Sequence, residues 1–228
     1  MTLVPGISDA ELKALAEKKR HEDFLAMCRT PGAWLDRAML HKRGADILYE
    51  LAYKANARDV DRMLQTSAEL GSTSRILAGD ELEDFHDRRL LSEYLLLIGY
   101  ALECLLKGYL LAILPELVET KLDRIVTTHD LVALCQDAGL AVSTEERDLL
   151  KLVSRHIVWG KYVAPMKVHD MPSWILPGDQ DEKSLAISNA FHGRRAQIVA
   201  DNIYGRVSNL LQRERARIYA RTGQGAQQ

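Results

Sequence analysis

The densest run of apolar residues lies in the middle of the chain, at residues 90–114, and polar residues interrupt it at helical spacing. Counted from Tyr94, apolar residues recur three and four positions apart, which places them on one wide stripe of a long helix. A membrane span requires about 20 consecutive apolar residues, whereas Glu93, Glu103 and Lys107 lie inside this run. The pattern therefore predicts the central helix of a soluble core.

The residues before this run predict two further helices. Ser8 and Glu11 have the spacing of a capping box, in which each side chain satisfies a backbone amide at the start of a helix. The sequence Thr30-Pro31-Gly32 is expected to end that helix. A second helix is predicted over residues 33–70, and the charged residues 79–89 are expected to form the first turns of the central helix. The second helix is predicted to bury one apolar side, formed by Trp34, Ala38, Ile47, Leu48, Leu51 and Ala52.

The residues after the run predict three more helices and a loop. Thr128 is expected to cap a short helix that ends at Gly139, and Ser143 with Glu146 forms a second capping box. A long loop is predicted at residues 163–181, and a last helix at about 182–219. The residues expected to face the core are Leu131, Leu134, Cys135 and Ala138 in the short helix, Leu149, Leu150, Val153 and Ile157 in the capped helix, and Ile187, Phe191, Ile198, Ile203, Val207 and Leu210 in the last helix.

Composition and charge are those of an ordinary globular protein. Hydrophobic residues make up 47% of the chain and charged residues 27%. Because no alternating segment rich in Val, Ile and Thr is present, the sequence predicts an all-α protein. The formal net charge of -2 provides no global attraction for nucleic acid or anionic lipid, so any such binding requires a local patch.

Cysteine usage and the start of the chain bear on its location. Cys28, Cys104 and Cys135 are odd in number and far apart, which is typical of reduced thiols in a reducing compartment. The spacing of a zinc site is missing, and no metal or cofactor is expected. The first residues have neither the basic start nor the apolar core of a signal peptide. We therefore expect a cytoplasmic protein that does not bind a membrane.

Three short motifs follow one another along the chain: ALECLLKGYLL in the central helix, THDL before the short helix and WGKYVAP after the capped helix. Their order and spacing resemble the HEPN superfamily, which comprises small helical bundles of prokaryotic toxin and defence systems and domains of larger eukaryotic proteins. Glu103 and Lys107 match the Glu-x-x-x-Lys of this family, and His129-Asp130-Leu131 matches its His-Asp-Leu. One branch has Arg-Tyr-Pro where this chain has Lys161-Tyr162-Val163. The resemblance covers residues 90–165.

The resemblance implies a fold and an assembly. It implies an all-α, HEPN-like helical bundle over residues 81–220. Residues 1–80 match nothing in the family and are expected to form an N-terminal helical extension that packs on this core, and residues 221–228 are expected to form a disordered tail. Because members of the family commonly dimerise, it also implies a homodimer whose site lies along the interface groove and binds RNA or a nucleotide.

Two Arg–His pairs are candidates for catalysis. Many members of the family are metal-independent ribonucleases with an Arg-x4–6-His motif. This chemistry needs a base near neutral pH for the 2′-hydroxyl proton and a cation for the charge that develops at phosphorus. Arg124 and His129 have the motif's spacing, although His129 is alternatively a capping-turn residue that packs on the central helix. Arg155 and His156 form the second pair, but adjacent helical side chains diverge by about 100°.

Four further residues are candidates for binding RNA or a nucleotide. Lys161 and Tyr162 follow Arg155 and His156 closely, so these residues are predicted to line one edge of a groove in which an aromatic ring stacks on a base. The alternative is that the aromatic residues belong to the core or to a dimer interface. Glu103 precedes Lys107 by one helical turn, which favours a salt bridge. On so apolar a helix, this pair is either structural or part of a polar groove.

Three functions remain open from the sequence. The first is an RNA- or nucleotide-binding protein of a prokaryotic toxin–antitoxin or defence system, with weak or no catalysis. The second is a metal-independent endoribonuclease toxin that uses one of the Arg–His pairs. The third is a non-catalytic interaction module that pairs with a nucleotidyltransferase-like protein, as members of the family often do. Convergence of arginine and histidine across a positively charged groove would distinguish them.

Overall fold

A computed structural model of the chain describes residues 8–66, 80–120, 122–159 and 194–225. Within these ranges all regular structure is helical, which confirms the predicted all-α bundle. The helices are α1 (Asp9–Cys28), α2 (Pro31–Thr66), α3 (Asp80–Ile113), α4 (Leu117–Thr120), α5 (Leu122–Thr127), α6 (Leu131–Asp137), α7 (Thr144–Trp159) and α8 (Arg194–Gly225).

Both capping boxes form as predicted. The Ser8 amide donates to Glu11 Oε2 at 2.8 Å, and the Glu11 amide donates to Ser8 Oγ at 3.3 Å. At the start of α7 the Ser143 amide donates to Glu146 Oε2 at 2.8 Å, and the Glu146 amide donates to Ser143 Oγ at 3.2 Å. These reciprocal bonds satisfy amides that have no partner inside the helix.

The predicted cap of α6 was wrong by two residues. The cap is Asp130, whose Oδ1 accepts hydrogen bonds from the amides of Val132 and Ala133, each at 3.0 Å. Thr128 Oγ1 instead accepts a hydrogen bond from the amide of Asp130, the capping residue itself, at 3.3 Å. A carboxylate serves better here because its charge also suits the positive end of the helix dipole. Gly139 follows the helix at φ 65°, in the left-handed region that glycine tolerates, and ends it as predicted.

Helix α3 is the central helix that the sequence predicts. Ile98, Ala101, Leu102, Leu105 and Leu106 are completely buried along it. Among the described residues, Leu90–Ile113 is long and apolar enough to cross a membrane by length and composition alone, and 56% of that window is buried inside the bundle. A core helix has the same properties, so the cytoplasmic location stays a prediction.

Helix α2 runs antiparallel to α3 in close contact. Trp34 lies against Gly108, His41 contacts Tyr100, and Tyr49 contacts Tyr94, so the contacts run in opposite order along the two helices. A Cβ atom at Gly108 would lie 2.5 Å from the Cβ of Trp34, so only glycine fits at this crossing. About two turns after Trp34, the Lys42 ammonium bridges Asp46 of α2 and Asp201 of α8 at 2.6 and 2.9 Å.

Several predicted faces and ends were wrong. Ile47 and Leu51 were predicted to be buried with Ala38 and Ala52, but they are exposed. At 100° per residue, Ile47 and Leu51 lie on the side of α2 opposite to the two buried alanines. Ile198 of α8 is exposed as well, whereas Ile203 and Val207 are buried. Helix α8 continues to Gly225, beyond its predicted end at residue 219 and into the predicted tail. Ile187, Phe191 and the predicted loop at 163–181 lie outside the described residues.

The two predicted parts of the chain share one core. Buried residues of α2 belong to the same apolar cluster as those of α3, α5, α6, α7 and α8. Helix α1, in contrast, buries only Cys28 at its end. A division at residue 80 stays a prediction, although the packing joins α2 to the bundle and leaves α1 largely at its surface.

The hydroxyl group of Tyr94 leads to a prediction about stability. Among the described residues no group forms a hydrogen bond with this buried hydroxyl, and burial, followed by Asp201 and Asp46, raises the pKa of Tyr94 far above its usual range. An unsatisfied buried group costs about 1–3 kcal/mol. Tyr94→Phe is therefore expected to raise the free energy of unfolding, measured by urea denaturation. Leu102→Ala, the control for packing, should lower it by about 2–5 kcal/mol. A loss above 1 kcal/mol in Tyr94→Phe would contradict the prediction.

Candidate functional site

The carboxylate of Glu103 is the centre of the candidate site. The Lys107 ammonium lies 2.6 Å from Glu103 Oε1, which confirms the predicted salt bridge. The same ammonium donates a hydrogen bond to the Val126 carbonyl of α5 at 2.7 Å. The side chain of Lys107 is only 3% exposed and that of Glu103 12%. A charge buried to this extent is tolerated because its partners replace the lost water.

The second carboxylate oxygen of Glu103 holds His129. His129 Nδ1 lies 2.9 Å from Glu103 Oε2, and the imidazole side chain is 22% exposed. A hydrogen bond from Nδ1 to a carboxylate fixes the orientation of the ring and selects the tautomer in which proton exchange falls on Nε2. The segment that carries His129 is anchored on both sides, by the bond from Lys107 to Val126 and by the bond from the Leu131 amide to Ser154 Oγ at 3.1 Å.

Helix α2 adds two residues that sequence reasoning did not select. The His41 ring lies 5.4 Å from the Tyr100 ring, one turn before Glu103 on α3. Burial and the charge of Arg37 lower the pKa of His41, while Glu103 raises it. Arg37 is exposed, and its charge opposes the rise in the pKa of the Cys104 thiol, so it lies within electrostatic reach of the residues around Glu103. The only sequence signal was the spacing of Arg37 and His41, one helical turn apart.

The structure does not bring Arg124 and His129 together. Arg124 pairs with Asp137 at 3.4 Å, and both side chains are largely exposed. His129 lies against Glu103 instead, so the ring contacts the central helix, as the capping-turn alternative expects. Whether either residue takes part in catalysis stays a prediction.

Arg155 and His156 diverge, as expected for adjacent helical residues. Arg155 is exposed, whereas His156 Nδ1 lies 2.9 Å from the Leu152 carbonyl. Burial lowers the pKa of His156. Lys161 and Tyr162 lie outside the described residues, so the predicted groove edge formed with them stays a prediction.

The neighbours of Glu103 include a thiol as well as charged and imidazole side chains. Burial, with a smaller effect of Glu103, raises the pKa of the neighbouring Cys104 thiol to about 11, so this thiol is protonated at neutral pH. In the described ranges, no group of three His, Cys, Asp or Glu side chains is arranged to hold a metal ion. Arg37 is exposed at this site, and His41 and His129 are half-buried there.

Comparisons with protein-family models, with curated proteins and with solved structures found no match. The resemblance to the HEPN superfamily therefore stays a prediction that rests on the three sequence motifs. Two of those motifs meet in the structure, because Glu103 and Lys107 contact the segment that carries His129.

Removal of Glu103 tests whether the buried pair stabilises the fold. Glu103→Leu would leave the Lys107 ammonium buried without a counter-charge and is expected to cost about 3 kcal/mol of unfolding free energy. The double variant Glu103→Leu/Lys107→Met should recover part of this loss because neither charge remains. Glu22→Leu, which removes an exposed pair with Lys18 on α1, is the control and should change stability by about 0.5 kcal/mol or less. Equal losses in the single and double variants would contradict this account.

The lowered pKa of His156 predicts how stability depends on pH. The unfolded chain takes up a proton near the ordinary histidine pKa of about 6.5, whereas the folded chain does so only at lower pH. The contribution of His156 to the free energy of unfolding is therefore expected to be fully present above about pH 6.5. The free energy of unfolding should fall as the pH decreases below that value. His156→Gln should flatten this decrease, measured by urea denaturation from pH 8 to pH 5. A variant with the slope of the parent would contradict the assignment.

Proposed function

We propose that the protein binds the phosphate groups of RNA or of a nucleotide where α2 and α3 meet the segment before α6. The contact between Glu103 and His129 carries this proposal, because it places a partly exposed imidazole on the carboxylate whose charge, like that of Arg37, also acts on His41. This proposal corresponds to the first of the three functions that the sequence left open, an RNA- or nucleotide-binding protein of a prokaryotic toxin or defence system.

The balance of charge supports an anionic ligand. The charges of Glu103 and Lys107 cancel each other within the buried pair. Asp130, the neighbour of His129, uses its carboxylate to cap α6. Arg37 then adds an exposed positive charge, and a guanidinium group can bind a phosphate through two parallel hydrogen bonds.

Aromatic rings support a nucleotide or single-stranded RNA as the source of the phosphate. The rings of His41 and Tyr100 lie together at 5.4 Å and are both half-buried, beside the same charged groups. Bases stack on such rings with little dependence on sequence. Phosphate contacts from arginine and stacking on aromatic rings are the two components of single-strand binding.

One observation favours a second candidate function, a metal-independent ribonuclease. A carboxylate that orients a histidine through Nδ1 is the arrangement that many enzymes use for general acid–base catalysis. Glu103 and His129 have this arrangement, with Nδ1 at 2.9 Å from the carboxylate. Burial and Arg37 lower the pKa of His41, which keeps a neutral second imidazole near neutral pH.

Binding of fluorescently labelled single-stranded RNA in EDTA tests both candidates. Arg37→Ala is expected to weaken binding about tenfold and to reduce the dependence of log K on log salt by about 0.7, measured by anisotropy over a salt series. Arg20→Ala, which removes an exposed arginine from α1, is the matched control and should bind as the parent does. Equal effects of the two variants, or no binding by the parent, would contradict RNA binding at this site.

The same samples distinguish binding from catalysis. Intact RNA on a denaturing gel after prolonged incubation supports binding without catalysis. Cleavage that His129→Gln abolishes would favour the ribonuclease, provided that circular dichroism shows the variant to be folded. If the parent neither binds nor cleaves RNA, the interaction module with a nucleotidyltransferase-like partner becomes the better hypothesis.

A further inference from the structure

The side of α2 that faces away from the core carries an apolar stripe of Leu40, Ile47 and Leu51, here called the outer stripe. These side chains are 65%, 55% and 42% exposed. At 100° per residue they lie within about 40° of one another around the helix axis. The alanines at 38, 45 and 52 lie on the opposite side and are completely or almost completely buried.

Exposed charges continue the outer stripe along the same side of α2. Arg43 lies between Leu40 and Ile47, and Glu50 and Lys54 follow Ile47. The spacing alternates between three and four residues from Leu40 through Arg43, Ile47 and Glu50 to Lys54. Residues with this spacing face the partner when one helix packs against another. In the described part of the chain, no helix covers these residues.

The order of charges along the outer stripe is self-complementary for one orientation only. Arg43 precedes Ile47 by four residues, and Glu50 follows it by three. If two copies of α2 pair antiparallel around Ile47, Arg43 of each copy faces Glu50 of the other. In a parallel pair Arg43 would face Arg43 and Glu50 would face Glu50, and such like-charge contacts are unfavourable.

We propose that the outer stripe binds a second copy of this chain, with α2 antiparallel to α2 and the two-fold axis at Ile47. The two copies of Ile47 contact each other on the axis. Leu40 of each copy packs between Leu51 and the aliphatic part of Lys54 of the other copy. A two-fold axis requires a surface that complements itself, and the paired positions of Arg43 and Glu50 meet that requirement. Because Leu40 directly precedes His41, the second copy lies beside the proposed phosphate site.

The oligomeric state of the full chain tests this proposal. Sedimentation equilibrium at increasing protein concentration is expected to show a mass that rises from 25.7 kDa, the mass of one chain, towards twice that value. Ile47→Asp places two carboxylates face to face on the axis and should keep the protein monomeric. Ile198→Asp, which changes an exposed isoleucine of α8, is the matched control and should dimerise as the parent does. A parent that stays monomeric up to about 100 μM would overturn the proposal, as would an Ile47→Asp variant that still dimerises.

Crosslinking tests the orientation of the two helices. In the antiparallel arrangement the two copies of position 47 are adjacent, whereas the two copies of position 54 are about 21 Å apart along the axis. Mild oxidation should therefore link Ile47→Cys into a covalent dimer and leave Lys54→Cys unlinked. Cys28 and Cys135 are buried and Cys104 is half-buried, and the parent corrects for their background. Efficient linking of Lys54→Cys would overturn the antiparallel arrangement.

The charged pairs provide an independent test of the same arrangement. Arg43→Glu and Glu50→Arg are each expected to weaken dimerisation at least fivefold, because each variant creates two like-charge contacts. The double variant should dimerise nearly as well as the parent, because it restores both pairs with their signs exchanged. A double variant that dimerises no better than the single variants would show that these residues do not face each other.

Discussion

The ammonium group of Lys107 is buried within an apolar helix and therefore needs both a counter-charge and hydrogen-bond acceptors from the protein. Glu103 supplies the charge from one turn earlier, and the Val126 carbonyl in the last turn of α5 supplies an acceptor. Carbonyl groups in the last turn of a helix have no partner within that helix. The Lys107 ammonium thus provides a donor for a carbonyl at the end of α5, and this carbonyl provides an acceptor for the ammonium. The hydrogen bond holds α5 against α3.

The other oxygen of Glu103 extends this arrangement to the surface. Since one carboxylate contacts both Lys107 and His129, the imidazole takes its position from the core of the bundle. His41 lies within reach of the same carboxylate from α2, and burial lowers its pKa while the charge of Glu103 raises it. The single carboxylate of Glu103 therefore acts on residues from three parts of the chain, which are α2, α3 and the segment before α6.

Local features of the fold were predictable because they depend on residues a few positions apart. Ser8 with Glu11, Ser143 with Glu146, and Glu103 with Lys107 each interact within one helical turn, and all three interactions form. The cap of α6 was not predicted correctly because Thr128 and Asp130 are both residues that cap helices, and sequence preference alone does not choose between them. The outward position of Ile47 depends on which side of α2 meets α3, which a count of apolar residues does not reveal.

The part of the candidate site that α2 contributes was not predictable because it depends on how α2 and α3 align. His41 and Tyr100 are far apart in sequence, and they meet only because Trp34 fits against Gly108 and sets the register of the two helices. Arg37 and His41 match no motif, so no local pattern singled them out. Arg124 and His129 do match a motif, yet the turn between α5 and α6 directs Arg124 to Asp137 and His129 to Glu103.

The composition of α2 shows how one helix can serve the core, the site and a further surface. Its inner side is lined by alanines at 38, 45, 52 and 55, and these small residues allow a close approach to the large side chains of α3. Leu35 is also buried, whereas the larger aliphatic residues Leu40, Ile47 and Leu51 lie on the outer side, where water contact is unfavourable. Arg37 and His41 lie at the boundary between these two sides. One helix therefore carries a close-packed inner side, a polar edge and an apolar outer side.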